Sequence, residues 1–178
     1  MTPQKIIRLA LFLLLCWGSP GSLAQKPARI SDLTNVDRQF MAQQRETMQD
    51  LAMMNLGRRF NGDRKLDLAL LQALLDKQLV RPDQVRKLQA MGAIMGDLLA
   101  AELGMHWVLY EDNVGRSRAL RYQESDAVLF PITMIARRRE VGNKTSVVEI
   151  YQKASDIIAK STPALPFQSG IAITGNSH

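Results

Sequence analysis

The first hydrophobic stretch of the chain behaves differently from all the others. Leu9 to Trp17 is an unbroken apolar run preceded by Lys5 and Arg8. Gly18, Pro20 and Gly21 interrupt it, and Ser22-Leu23-Ala24 follows with small residues at the cleavage positions. The run falls well short of the roughly 20 residues a bilayer span needs. Residues 1–24 therefore read as a secretory signal peptide, removed after Ala24 and excluded from fold reasoning. Gln25 to Leu33 carries Pro27 and turn formers and reads as a loose leader.

Beyond it the apolar positions take a helical period. Thr34, with Asp37 three residues on, is an N-cap signal for a helix from Val36 to Asn55. Val36, Phe40, Thr47, Leu51 and Met54 form its expected inner side. Asn61-Gly62-Asp63 is a turn. Leu66 to Leu79 follows as a second helix, striped by Leu68, Leu71, Leu75 and Leu79 beside Leu66, Leu70 and Leu74. Pro82 suits the first position of a third helix, which ends at Gly104, a natural C-cap. That helix is apolar on several sides (Val85, Leu88, Met91, Met95, Leu98, Leu99, Leu103), as expected of a central buried element.

At Met105 the period becomes extended. Met105–Tyr110 and Arg116–Tyr122 read as strands joined by the hairpin Glu111-Asp112-Asn113-Val114-Gly115. Val128–Arg139 reads as a third extended segment, with Pro131 marking an edge or bend. Ser146 with Glu149 forms a capping box for a last helix to Lys160, and residues 161–178 read as a disordered tail. The expectation is an α+β fold: a helical N-terminal part, a three-stranded antiparallel meander, and a C-terminal helix that packs with helix three on the sheet. The domain reading is 25–64 for leader and first helix and 65–160 for the α+β domain.

Composition narrows the function classes. The chain of 178 residues has 23 basic and 17 acidic side chains, net +6. Loss of Lys5 and Arg8 with the leader brings this to about +4, with both signs interspersed along 111–140. An exported chain of that pattern is a poor nucleic-acid binder. The single cysteine, Cys16, lies inside the leader, so thiol and disulfide chemistry are absent from the mature chain. Leu15 before it disfavours lipid attachment, which needs a small residue there.

Two stretches resemble a bacterial family. They are Leu88-Gln89-Ala90-Met91-Gly92-Ala93-Ile94-Met95-Gly96-Asp97-Leu98-Leu99 with Leu103-Gly104-Met105-His106-Trp107-Val108, and Gly115-Arg116 with Ala119-Leu120-Arg121-Tyr122. Phe130-Pro131-Ile132-Thr133-Met134-Ile135, Arg138 and Gly142 extend the likeness. The family is the domain of unknown function 3806, and the resemblance covers roughly residues 65–160. It implies the domain and no activity.

Candidate chemistry is sparse. Gly92 and Gly96, four apart in a helix, point to a close backbone approach, since each costs about 1 kcal/mol relative to Ala. Asp97 sits among alanines on that helix and reads as paired with an arginine or solvated. His106, the single internal histidine of the mature chain, reads as partly buried and structural. Conventional zinc ligation needs more His or Cys than the mature chain has. No glycine-rich phosphate loop or nucleophile elbow is present, and the methionines read as core. The expectation is no cofactor and no metal. Asn143-Lys144-Thr145 matches a glycosylation sequon without further support.

The remaining signal is compositional. Trp, Tyr and Arg are the residue types enriched at binding hot spots, and Trp107, Tyr110, Arg116, Arg118, Arg137 and Arg139 fall on three successive expected strands. The leading expectation is a small soluble periplasmic protein that binds an envelope protein or an anionic envelope component. The alternatives are a hydrolase-type enzyme using Asp97 or His106, and an immunity-type inhibitor of an exported toxin.

Overall fold

The structure is a computed structural model and describes residues 27–161. The signal-peptide reading of residues 1–24 and the tail beyond Ser161 lie outside the described residues. The order of elements is β1 (Arg29–Asp32), α1 (Asn35–Leu56), α2 (Arg64–Asp76), α3 (Val85–Leu103), β2 (Met105–Glu111), β3 (Arg116–Tyr122), β4 (Val128–Leu129), α4 (Pro131–Glu140) and α5 (Val147–Ser161). The fold is α+β, with one antiparallel sheet in the order β1-β2-β3-β4.

Several expectations need correction; among them, α3 begins at Val85 with Gln84 as its N-cap, so Pro82 lies before the helix and not at its first position. The leader contains a strand. Ser31 pairs with Leu109 and Asp32 with Val108, so the sheet has four strands rather than three. Only Ile30 among its four residues is partly buried, which is why no apolar alternation marks it. The segment Val128–Arg139 is extended over two residues only; Pro131 then occupies the first turn of a helix. Pro is pre-organised for that position, and Arg137, Arg138 and Arg139 in the last turn complement the helix dipole. The apolar side of α1 is also rotated. Asp37, Met41, Met48 and Ala52 are buried, whereas Val36 and Met54 are 73% and 81% exposed.

Helix α3 is the central element, with ten buried residues from Leu88 to Leu99. It packs on α1 and α4 and against β2 and β3. Helix α5 packs mainly on α2 and α3 rather than on the sheet. Tyr151 anchors it, its hydroxyl donating to Glu102 at 2.8 Å, while Arg64 holds the other side of that carboxylate. Several local readings hold. Thr34 and Asp37 form a reciprocal capping box, and Gly104 closes α3 in the left-handed region at φ 63°; Asp63, read only as part of a turn, also caps α2. Ser146 accepts from the Glu149 N–H, but the Glu149 carboxylate pairs with Lys153 instead of closing the box.

The two glycines of α3 set its neighbours. A Cβ on Gly92 would lie 2.5 Å from the carbonyl oxygens of Pro131 and Ile132. A Cβ on Gly96 would lie 2.5 Å from the Trp107 indole. Backbone cannot retreat as a side-chain tip can, so Gly92→Ala should cost about 3 kcal/mol through overpacking. Chemical denaturation of the purified variant measures this; an unchanged midpoint would show that α4 yields freely.

Candidate cleft at the edge of the sheet

The register of β2 and β3 decides which candidate residues can meet. Tyr110 pairs with Ser117, Leu109 with Arg118 and Trp107 with Leu120. Because side chains alternate, Trp107, Leu109, Arg116 and Arg118 share the face that meets the helices. His106, Val108, Tyr110 and Ser117 share the other.

Trp107 is structural. Its ring lies against Gly96, and its indole N–H donates to Asp97 at 2.9 Å. Arg45 of α1 grips the same carboxylate with two bonds of 2.6 and 2.7 Å. Asp97 is thus paired with an arginine, supplied by a helix and not by a strand. His106 is exposed and lies on the opposite face of the sheet from Trp107 and Asp97. Arg139 is also structural. It donates to the carbonyls of Asn143 and Thr145 and braces the turn after α4. Burial pushes its guanidinium below the ordinary range, with Asp76 acting the other way. It lines a separate cleft of about 500 Å³ with Gln72, Asp76 and Lys144. Arg137, Arg138 and Arg139, expected within the extended segment Val128–Arg139, all lie on α4 instead.

The remaining four candidates converge. Tyr110, Arg116, Arg118 and Arg137 line one cleft of about 430 Å³, together with Phe40, Phe130 and the first turn of α4. Tyr110 and Phe130 make an edge-to-face pair with centroids 5.3 Å apart. The Arg118 guanidinium lies 4.2 Å above the Phe40 ring, a cation–π stack. Arg137 is exposed and makes no ion pair among the described residues.

Asp37 is the organising group beneath the cleft. It is 3% exposed and accepts from Arg116 and Arg118 at 2.8 Å each. Burial raises its pKa, but the bonds from Thr34 and the charges of Arg118 and Arg116 outweigh that, and the net shift is downward. One carboxylate thus holds two guanidinium groups side by side, leaving other N–H donors of each directed elsewhere. Phe40 and Phe130 escaped the sequence reading. Phe40 falls on the expected inner side of α1 at helical spacing, and the turn from strand to helix at Phe130-Pro131 has no helical signature upstream of the proline.

Among the described residues no group of three or more His, Cys, Asp or Glu is placed to hold a metal ion. No helix of the described chain is long and apolar enough to cross a membrane.

Residues 67–151 match the model of a family described as Domain of unknown function (DUF3806), so the resemblance carried by the α3, β2 and β3 motifs is real for that segment. The match begins in α2 and ends in α5, leaving β1 and α1 outside. No curated protein matches the chain. A crystal structure of a protein from Bacteroides thetaiotaomicron VPI-5482 is similar, with a TM-score of 0.67 and 22% sequence identity. The match covers 74% of this chain and 48% of that one, so this chain spans about half the length of its structural relative. At that identity the likeness shows the shared fold.

The low native pKa of Asp37 has a definite sign. Its stabilising contribution is complete above the ordinary carboxylate range near pH 4, and is lost as pH falls through the lower native value. Asp37→Asn should therefore cost about 2 kcal/mol at about pH 6 and much less at about pH 2. Paired thermal melts at both pH values test it; an equal deficit at both would remove the ion pairs from the account.

Proposed function

We propose that this chain is an exported, non-catalytic binding protein of the bacterial envelope that receives an anionic partner in the cleft beside β3. The observation that carries this reading is the convergence of Tyr110, Arg116, Arg118 and Arg137 with two further aromatic rings in one concavity. Rigid aromatic surface beside oriented guanidinium groups is the composition of binding hot spots. Arginine is also the side chain best matched to carboxylate and phosphate oxygens. The leader-like residues 1–24 supply the export reading. A hydrolase-type enzyme using Asp97 or His106 is the weaker reading. Asp97 is engaged by Arg45 and Trp107, His106 faces away from it, and neither lines either of the two clefts described above.

Two measurements test the proposal. N-terminal sequencing of the exported protein should begin at Gln25; a start at a lipidated Cys16 would replace the soluble reading with a tethered one. A photo-crosslinking residue at Val114, 97% exposed on the cleft rim, should give a discrete adduct in the envelope fraction. Arg137→Glu should abolish that adduct without lowering the melting temperature. No adduct, or one indifferent to Arg137, would overturn the binding role of this cleft.

A further inference from the structure

The cleft lies where a longer β4 would have run. Antiparallel ladders alternate between hydrogen-bonded and non-hydrogen-bonded pairs, and two bonds fix the phase here. Asp112 N–H donates to Gly115 O at one end of β3, and Tyr122 N–H donates to Ala127 O at the other. Tyr110 and Ser117 therefore bond each other across the hairpin, while the backbone N–H and C=O of Arg116, Arg118 and Leu120 point to the outer side. β4 pairs only with Leu120 and Arg121. The position that would face Arg118 is Pro131, which has no N–H and already starts α4. Beside Arg116 and Arg118 the sheet edge has no strand among the described residues, and the space next to it is the cleft lined by Tyr110, Arg116, Arg118, Phe130 and Arg137.

We infer that this open edge takes an extended acidic segment of a partner protein as an added strand, a deepening that rests on the proposed binding role of the cleft. Strand addition supplies affinity through main-chain bonds and specificity through alternate side chains. Here the alternation is defined. On a strand laid along β3, side chains opposite Arg116 and Arg118 lie on the face where Asp37 presents both guanidinium groups. The residue between them lies on the face of Ser117 and the Tyr110–Phe130 pair. The recognised pattern is acidic–apolar–acidic over about three residues, a length of roughly 10 Å. Arg137 from α4 adds a third positive charge on the far wall, opposed among the lining residues by Asp112 alone. Asp112 is committed to the hairpin, where its carboxylate accepts from the N–H groups of Val114 and Gly115.

The experiment is a calorimetric titration of the purified protein with three blocked peptides: Glu-Val-Glu-Val-Glu, its lysine counterpart Lys-Val-Lys-Val-Lys, and the acidic peptide N-methylated at alternate amides. Inorganic phosphate and vesicles containing phosphatidylglycerol are titrated in parallel. The acidic peptide should bind and the basic one should not. N-methylation on the side facing β3 removes main-chain donors and should weaken binding on the order of tenfold. Arg137→Glu should weaken it by a similar factor. Hydrogen exchange at the Arg116 and Arg118 amides should slow in the complex. Equal binding of the methylated peptide overturns strand addition while leaving the anion-binding cleft in place. Binding of phosphate or vesicles without binding of the acidic peptide overturns the protein-segment occupant. Loss of every interaction, together with absence of the Val114 adduct, removes the binding role itself.

Discussion

The absence of a side chain at Gly92 is the constraint from which the rest of the architecture follows. Because that position of α3 is bare, the backbone of Pro131 and Ile132 can lie directly on it. The chain must then leave the sheet after only two residues of β4 and turn into α4. The same closeness fixes Trp107 one turn further along, where Gly96 leaves room for the indole. Each glycine weakens α3 as an isolated helix. The packing they permit, of α4 on one side and of the sheet on the other, is what makes α3 the centre of the molecule.

Two carboxylates complete the assembly by tying α1 to what surrounds it. Asp97 of α3 gathers Arg45 of α1 and Trp107 of β2. Asp37 of α1 gathers Arg116 and Arg118 of β3 while still capping its own helix. Residues 67–151 carry the family likeness, yet the cleft that their strands border is finished by Phe40 and supported by Asp37 from outside that segment. The N-terminal helix is thus part of the site.

Much of the helical framework was legible in the sequence, because α2, α3 and α5 bury leucine, isoleucine and valine at helical spacing and α3 and α5 carry recognisable caps. The failures have physical causes. α1 buries methionine, alanine and an aspartate, while leaving Val36 and Met54 in solvent, so hydrophobicity alone selects the wrong side. β1 is a polar edge strand whose order comes from pairing with β2, which no local pattern reveals. Residues 131–140 set an apolar block, broken only by Thr133, before four consecutive charges, so no helical stripe marks them; their helical state is decided by Pro131 and by contact with Gly92, which lies 39 positions earlier. Of the six candidate binding residues, the four that meet do so because Asp37 and α4 bring them together. Trp107 and Arg139 share their composition but are spent on Gly96, Asp97 and the loop after α4.

The pairing of β1 with β2 joins positions almost 80 residues apart, Ser31 with Leu109. The first described segment of the polypeptide can gain its place only once β2 has been synthesised, after α1, α2 and α3. Closing so long a loop costs more entropy than any other pairing in this sheet, and contacts of such separation slow folding. In the interval the segment waits as Arg29-Ile30-Ser31-Asp32, with two charges, one hydroxyl and a single apolar side chain. That composition keeps an unpaired strand from seeking a wrong neighbour. The polarity that hides β1 from a hydrophobic reading is what lets it wait.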